Sequence, residues 1–292
     1  MRGRYSIETT AEMITKNTGL LEGRSLGFVG GGNMAAAIID GLLRECSADS
    51  ICVYDKSPER MALMAEKGCR CAESVAALAE SCDTILLAVK PQNFEDVFAE
   101  ARDAIAGDKL FISIAAGVPI SRIRQLAGND SLRVVRVMPN VNVLVKAGAA
   151  VIAAQPPAGE NDLTFTEQLL RAAGFSVEVI EEEQINAATS LHGSGPAFVF
   201  LFARAAADYA VSMGIDEGMA FRLFCQTLRG SADLMEMNGS CSMEECDRLI
   251  RMVTSPKGTT EAALKDFESN GLYKTLLSGF NACARRAEEL GS

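Results

Sequence analysis

Residues 26–35 of the chain read LGFVGGGNMA, and this stretch decides the fold. A short apolar run ends in three glycines and leads directly into a helical pattern. Gly30 permits a tight turn, Gly32 permits close approach of the backbone to a pyrophosphate, and Ala35 permits close packing of the helix on the strand. A plain glycine-rich turn is the alternative interpretation. Free N–H groups at the helix start suit phosphates, and the predicted dinucleotide contacts are Gly30, Gly32, Asn33 and Met34.

The rest of the first half alternates short apolar runs with amphipathic stretches. This alternation is typical of the α/β class and predicts a parallel sheet covered by helices on both faces. The predicted strands are Leu26–Val29, Ile51–Tyr54, Thr84–Val89, Leu110–Ile114, Arg133–Val137, Ala149–Ala153 and Ser176–Ile180. The predicted helices are Met34–Leu43, Pro58–Lys67, Ser74–Ala79, Phe94–Ala106, Ile120–Leu126 and Asn161–Ala173.

The strand pattern stops after Ile180, and the remainder predicts helices only. We therefore expect an N-terminal extension over residues 1–23, a dinucleotide-binding domain over 24–181 and a helical domain over 182–292. Several C-terminal helices are apolar on more than one face, as at Phe198–Phe202, which favours burial against a second subunit over a closed monomeric bundle. The predicted helices are Gln184–Leu191, Pro196–Met213, Asp216–Met237, Met243–Met252, Thr260–Asn270 and Leu272–Leu290.

Composition limits the classes of function. The net charge of −10 argues against nucleic acid as a partner, and no run of 18 apolar residues predicts a membrane span. The N-terminus has Glu8 and Glu12 and no secretory pattern; a helix over Glu8–Lys16 is expected there. Nine cysteines without a CxxC pair, and a single histidine, His192, give no metal-site spacing and suggest reduced thiols in a cytoplasm.

The second strand ends in a residue that bears on cofactor choice. Asp55 is suited to bind the adenosine ribose and to repel a 2′-phosphate, which favours NADH. Lys56 and Ser57 follow at once and are suited to hold that phosphate instead, and Asp55 also suits a helix cap before Pro58. The sequence therefore leaves NADPH and NADH both open.

The chain is poor in acid–base residues for ketone reduction. His192 is the lone histidine, and none of the four tyrosines lies four residues before a lysine. A cyclic imine relaxes this requirement, because its nitrogen can arrive protonated and hydride transfer then neutralises the cation. Such a reaction needs mainly positioning of the substrate and binding of its carboxylate.

Several segments together resemble the pyrroline-5-carboxylate reductase family, in the family's order from about Ser25 to the last helix. The G-S-G-P-A and S-P-x-G-T-T segments are the most specific of them, while the early segments are shared by many dehydrogenases. They are Gly27–Ala35, Ala88–Pro91, Ser113–Val118, Met138–Asn140, Gly193–Ala197 and Thr254–Thr260.

The resemblance implies a Rossmann domain followed by a helical dimerisation domain, dimers often assembled into decamers, and reduction of 1-pyrroline-5-carboxylate to proline with NADPH or NADH. It implies that the loop before Glu261 binds the substrate carboxylate, with Thr260 as the expected catalytic residue. Expected substrate contacts are Ser194, Gly195, Gly258, Thr259 and Thr260. Expected further cofactor contacts are Asp55, Lys56, Ala88, Val89, Lys90, Pro91, Ala115 and Asn140.

Two departures from the family pattern leave alternatives open. Lys257 stands where the family usually has a second glycine, and Val141-Asn142 stand where it commonly has Thr-Pro. A β-hydroxyacid dehydrogenase shares the early motifs, but Val199 occupies the position of its lysine. A non-catalytic NAD(P)-sensing protein with the same fold is the alternative from another class. Lys90 is also consistent with an ordinary solvated lysine, and the two threonines with simple helix caps.

Overall fold

The computed structural model describes residues 19–105, 108–237 and 241–291. The helix predicted at Glu8–Lys16 lies outside the described residues. The chain divides into two compact units. One unit runs up to Gly193 and also contains the residues from Ala284 onward, and the other is Ser194–Cys283.

The first unit is built on an eight-stranded sheet with the order β3-β2-β1-β4-β5-β6-β7-β8. The first six strands are parallel and have the strand order of dinucleotide-binding folds, which confirms the predicted Rossmann domain. The strands are β1 (Leu26–Val29), β2 (Ile51–Tyr54), β3 (Arg70–Cys71), β4 (Thr84–Leu87), β5 (Leu110–Ser113), β6 (Arg133–Pro139), β7 (Gly148–Ala154) and β8 (Phe175–Val179).

The last two strands run antiparallel to the first six, so the predicted parallel arrangement holds for β1 to β6 and is wrong for β7 and β8. β7 pairs antiparallel with β6, with Val137 opposite Ile152. The connection between them, residues 140–147, contains only a 3-10 turn over Val141–Val145. It is too short for the crossover that a parallel pair requires. β8 follows a full helix and returns parallel to β7.

Helices cover both faces of this sheet, as the alternation predicts. One face packs on α1, α2 and α6 through residues such as Phe28, Ile38 and Leu169. The other packs on α3, α4 and α5 through residues such as Phe98 and Phe111. The helices are α1 (Asn33–Leu42), α2 (Pro58–Glu66), α3 (Val75–Ser81), α4 (Phe94–Ala101), α5 (Ile120–Ala127) and α6 (Glu160–Ala173).

Other elements of this unit also differ from the sequence prediction: α4 ends at Ala101 instead of Ala106, and β4 ends at Leu87 instead of Val89. β3 has only two residues, both exposed at the sheet edge, and therefore gives no apolar run. The helix predicted at Gln184–Leu191 is instead a 3-10 turn over Glu182–Gln184, a short α7 (Ile185–Ala188) and a π-helical turn over Thr189–Gly193.

The second unit is helical, as predicted. Phe202 packs edge-to-face on Phe224 with ring centroids 5.3 Å apart, and Phe198 packs in the same way on Phe280 at 5.5 Å. Many large apolar side chains stay exposed, including Phe200 and Leu201 on α8. Its helices are α8 (Gly195–Ser212), α9 (Glu217–Glu236), α10 (Met243–Met252), α11 (Thr259–Ser269) and α12 (Leu272–Gly291), which continues past the end of this unit.

A close contact between α1 and α6 gives a test of the first core. A Cβ added to Gly41 would lie 2.4 Å from the carbonyl oxygen of Ala173 and 2.5 Å from its Cα. These are backbone atoms that cannot rotate away, so Gly41→Ala should lower the free energy of unfolding by about 2 kcal/mol. Urea denaturation measures this. Gly230→Ala in α9, where a Cβ meets no atom within 4 Å, is the control and should be neutral or stabilising; equal effects of the two changes would contradict the packing argument.

Candidate functional site

The glycine turn after β1 can form only without a side chain at its first position. Gly30 has φ +106°, and a Cβ there would lie 2.7 Å from the carbonyl oxygen of Ala88. The Gly30 N–H donates to the carbonyl oxygen of Tyr54 at 2.7 Å. The turn is thereby held between the carboxyl ends of β2 and β4, at the edge where open α/β sheets bind ligands.

The start of α1 offers free N–H groups beside this turn. Gly32 is the N-cap, no side chain caps the helix, and its first turn contains no acidic residue. In contrast, α2 is capped by the hydroxyl of Ser57, which accepts from the Arg60 N–H at 3.3 Å. Uncapped N–H groups at a helix start attract an anion such as a phosphate. Asn33 and Met34, both predicted cofactor contacts, are the first two residues of α1.

Asp55 connects the end of β2 to the glycine turn. Its Oδ2 accepts from the Gly31 N–H at 2.7 Å, and its Oδ1 accepts from the Ser57 N–H at 2.8 Å. Burial alone raises the pKa of Asp55, but the N–H groups of Ser57 and Gly31 and the Arg60 guanidinium outweigh burial and lower it below its ordinary value. The carboxylate is therefore an ionised brace of the turn, with lone pairs left for a ribose hydroxyl.

Two cations lie near this carboxylate, and sequence reasoning named one of them. The Nη1 of Arg60 lies 3.4 Å from the Oδ2 of Asp55, and its side chain is half exposed. The Nζ of Lys56 lies 3.3 Å from a carboxylate oxygen of Asp96 in an exposed pair. Arg60 was absent from the sequence prediction because it occupies an ordinary surface position of α2. An arginine shortly after the acidic residue at the end of β2 is the signal that points to it.

These groups line one cavity of about 710 Å³ at the carboxyl edge of the sheet. A groove of this size with a glycine turn, a helix start and a ribose acceptor fits a nicotinamide dinucleotide. The predicted cofactor residues that line it are Gly30, Gly32, Asp55, Lys56, Ala88, Val89 and Lys90. Lining residues that the sequence analysis did not name as cofactor contacts include Tyr54, Arg60, Val75, Gln92 and Asn93.

The other predicted cofactor residues lie beside the cavity or serve the fold. Pro91 begins a 3-10 turn over Pro91–Asn93, and Ala115 is buried after β5. Asn140 is buried, and its amide is already engaged: Nδ2 donates to the carbonyl oxygen of His192 at 3.2 Å, and Oδ1 accepts from the Ala149 N–H at 3.0 Å. A cofactor role for these three residues stays a prediction.

The predicted substrate loop lies in the second unit and begins with a tight turn. The Gly258 N–H donates to the carbonyl oxygen of Ser255 at 3.0 Å, with Pro256 and Lys257 at the two central positions. Lys257 has φ +58°, a left-handed conformation that glycine usually supplies at this place of a type II turn. Its N–H donates to Glu261 at 2.9 Å. The structure therefore accommodates the departure from the family pattern at this position.

The helix that follows the loop starts without a side-chain cap. Gly258 is the N-cap of α11, so Thr259 and Thr260 are its first two residues rather than caps. The alternative that the threonines merely cap the helix is wrong. Thr260 is half-buried and Thr259 is exposed, and the free N–H groups at this helix start suit a carboxylate.

Ser194 and Gly195 lie at the opening of the same unit. The Oγ of Ser194 is 3.1 Å from the Sγ of Cys283, and Gly195 is the first residue of α8. The structure thus places the predicted nucleotide contacts in the first unit and these residues with Gly258, Thr259 and Thr260 in the second. Among the described residues, no group of three histidine, cysteine, aspartate or glutamate side chains forms a metal site, and no helix is long and apolar enough to cross a membrane.

Comparison with protein families gives two matches. Residues 182–290 match the family described as pyrroline-5-carboxylate reductase dimerisation, and residues 25–117 match NADP oxidoreductase, coenzyme F420-dependent. Pyrroline-5-carboxylate reductase of Haemophilus influenzae is 36% identical over 92% of this chain and 98% of its own length. The enzyme of Pseudomonas aeruginosa is 36% identical over 91% and 96%.

Solved structures agree with these relatives. Pyrroline carboxylate reductase of Plasmodium falciparum, solved with NADP bound, superimposes with a TM-score of 0.83 at 26% identity and covers 93% of this chain and 100% of its own. Pyrroline-5-carboxylate reductase of Coxiella burnetii superimposes with a TM-score of 0.82 at 32% identity and covers 92% and 99%.

The geometry around Asp55 predicts a change in nucleotide preference. Asp55→Asn retains an oxygen acceptor for the turn but removes the charge that repels a 2′-phosphate. The ratio of the dissociation constants for NADH and NADPH, measured by fluorescence titration, should therefore shift about tenfold toward NADPH, which corresponds to about 1.4 kcal/mol. Asp40→Asn, which removes an exposed carboxylate paired with Lys67, is the control and should leave the ratio unchanged. An unchanged ratio in Asp55→Asn as well would reduce Asp55 to a brace of the turn.

Proposed function

Because the chain belongs to the pyrroline-5-carboxylate reductase family, we propose that it reduces 1-pyrroline-5-carboxylate to L-proline by hydride transfer from NAD(P)H, the last step of proline biosynthesis. The observation that carries this function is the similarity to these reductases over nine-tenths of the chain. The glycine turn, the uncapped start of α1 and the cavity beside them support use of the dinucleotide. The family membership replaces the β-hydroxyacid dehydrogenase alternative.

The first unit supplies the groups that would hold the cofactor. The N–H groups at the start of α1 suit the pyrophosphate, and Asp55 suits the adenosine ribose. Arg60 and Lys56 line the same cavity and suit the extra phosphate of NADPH. When bound, the nicotinamide supplies the hydride. Either cofactor is consistent with this set of groups.

The second unit supplies the proposed substrate contacts. The N–H groups at the start of α11, at Gly258, Thr259 and Thr260, suit the substrate carboxylate. The Thr260 hydroxyl is suited to bond the ring nitrogen or the carboxylate, and we assign it as the catalytic residue. Ser194 and Gly195 complete the proposed substrate contacts.

The reaction places modest demands on acid–base chemistry. The substrate carries a C=N bond between its ring nitrogen and C5, and the nitrogen arrives protonated. Hydride adds to C5, the electron pair of the C=N bond moves to nitrogen, and the product amine keeps the proton that nitrogen already carried. The chain's task is to bind the carboxylate and to orient the ring, which is consistent with its single histidine.

The chain self-associates through its dimerisation domain. The assembly we propose is a homodimer, with a decamer built from such dimers as the higher assembly that the resemblance implies. The exposed apolar side chains of α8 and α9 support this assembly, because an obligate dimer buries such surface in a core-like interface.

We place the enzyme in the cytoplasm, which its nine free cysteines support. We further propose residues 24–181 as the nucleotide-binding part and 182–292 as the dimerisation and substrate part.

The reaction itself gives the first test. Purified chain should oxidise NADPH or NADH when 1-pyrroline-5-carboxylate is added, as followed by the loss of absorbance of the reduced cofactor. The keto forms of 2-hydroxy and 3-hydroxy acids should not be turned over, because their reduction requires a proton donor and the chain is poor in acid–base residues. Equal or faster turnover of such a keto acid would refute the imine substrate. Binding of the cofactor with no turnover of any substrate would favour the NAD(P)-sensing alternative.

The role of Thr260 can be separated from that of the fold. Thr260→Val keeps the shape of the side chain and removes the hydroxyl, so kcat/KM for 1-pyrroline-5-carboxylate should fall about tenfold or more. The dissociation constant for NADPH should not change. Thr275→Val is the control. It removes a hydroxyl of α12 that donates to the carbonyl oxygen of Gly271, and it should leave kcat/KM intact. A Thr260→Val enzyme with normal kcat/KM would return Thr260 to a structural role.

Self-association can be tested through the exposed apolar surface of α8. Light scattering should give at least twice the chain mass of 31.1 kDa. Leu201 is 70% exposed on α8 and Leu63 is 53% exposed on α2. Leu201→Glu should shift the protein toward the monomer by placing a charge in the interface, whereas Leu63→Glu should not. A fully active wild-type monomer would contradict the proposed assembly.

A further inference from the structure

Residues 182–193, which lead from the sheet into the helical unit, make hydrogen bonds to Arg136 and Met138 of β6 and to Asn140, which directly follows this strand. The side chain of Arg136 on β6 donates to Glu182 at 3.4 Å and to Asn186 at 2.9 Å. The carbonyl oxygen of Met138, two residues further along β6, lies within hydrogen-bond distance of the His192 ring. The side-chain amide of Asn140 donates to the carbonyl oxygen of His192. The segment 182–193 is therefore held to the end of β6 and to Asn140 through Glu182, Asn186 and His192.

The ring of His192 makes the central contact. Its Nε2 lies 2.8 Å from the carbonyl oxygen of Met138, and its Nδ1 lies 2.7 Å from the carbonyl oxygen of Ala188. In either neutral form the ring donates to one of these oxygens, and with both nitrogens protonated it donates to both. The contact joins the end of β6 to the π-helical turn Thr189–Gly193, a type of turn that is frequent at functional sites.

Two further contacts fix the same turn. The amide of Asn140 bridges the carbonyl oxygen of His192 and the N–H of Ala149 on β7. A Cβ added to Gly193 would lie 2.7 Å from the Cε of Met138, so the turn packs directly on that side chain. The backbone of residues 192–193 is thus held by one hydrogen bond at the His192 carbonyl and by packing at Gly193.

We infer that His192 is a positioning residue for the reaction. The inference rests on the proposed function, in which Ser194 and Gly195 contact the substrate. Only Gly193 separates His192 from Ser194, so the hydrogen bonding of the imidazole fixes the backbone two residues before the first proposed substrate contact. His192 touches neither substrate nor cofactor in this account and acts through the placement of its neighbours. Small errors of placement lower the rate strongly, because reaction requires close alignment of the reacting atoms.

The test compares two substitutions of His192 with one matched control. His192→Phe keeps a planar ring and removes both nitrogens, and His192→Gln keeps an amide N–H donor. Thr166→Val is the control, because Thr166 is fully buried in α6 and its hydroxyl donates to the carbonyl oxygen of Asp162 at 2.7 Å. The Thr166→Val protein loses a buried hydrogen bond, as the His192 variants do, but at a position away from the proposed substrate contacts. For each protein, kcat and KM for 1-pyrroline-5-carboxylate, the dissociation constant for NADPH and the melting temperature are measured.

We expect His192→Phe to lower kcat/KM for 1-pyrroline-5-carboxylate about tenfold, mainly through kcat, with NADPH affinity within about twofold of wild type. His192→Gln should recover most of this loss, and Thr166→Val should lose stability but keep kcat/KM. Normal kcat/KM in His192→Phe, or a His192→Gln enzyme no better than His192→Phe, would overturn the inference while the proposed function stands. If His192→Phe does not fold, His192→Leu, which also lacks both ring nitrogens, takes its place with the same expected loss, and a normal kcat/KM in His192→Leu overturns the positioning role. A wild-type chain with no activity on 1-pyrroline-5-carboxylate would remove the proposed function and the inference together.

Discussion

The approach of Gly30 to the backbone of Ala88 is the constraint on which the nucleotide site depends. Any side chain at Gly30 would collide with the carbonyl group of Ala88, which directly follows β4 and is backbone that cannot rotate away. Because the turn can lie this close, α1 starts at the carboxyl edge of the sheet, with its free N–H groups beside the cavity. The strand order places this turn at the point between β1 and β4 where the sheet changes direction of winding.

Charge near the turn is balanced rather than simply negative. Asp55 is ionised and accepts from two backbone N–H groups, while Arg60 lies within ion-pair distance. Its negative charge is therefore partly neutralised before any ligand arrives, which weakens its repulsion of a 2′-phosphate. The same groups that brace the turn thus set the balance between the two nicotinamide cofactors, and the sequence pattern alone could not reveal this double role.

The sequence predicted most of the first unit, because its strands are apolar runs with sharp polar or glycine boundaries. Leu26–Val29 and Ile51–Tyr54 were placed with their observed bounds. The reversal at β7 was missed because Gly148–Ala154 is buried over most of its length, and an apolar run looks the same in either direction. The π-helical turn was missed because the contact between His192 in this turn and Met138 joins residues far apart in the chain. Arg60 was missed because it occupies an ordinary surface position of α2, although it follows Asp55 by only five residues. Family membership, rather than local pattern, carries the assignment of Thr259 and Thr260, because a helix start followed by threonines is common.

Transfer of the hydride itself is the most direct test of the account. The chain would be supplied with 1-pyrroline-5-carboxylate and with NADPH deuterated at C4 of the nicotinamide, in separate reactions for the two C4 positions. Mass spectrometry of the product would then locate the label. The account predicts that one of the two labelled cofactors yields proline with deuterium at C5, and that the other yields unlabelled proline. Unlabelled proline from both cofactors, or no proline from either, would contradict it.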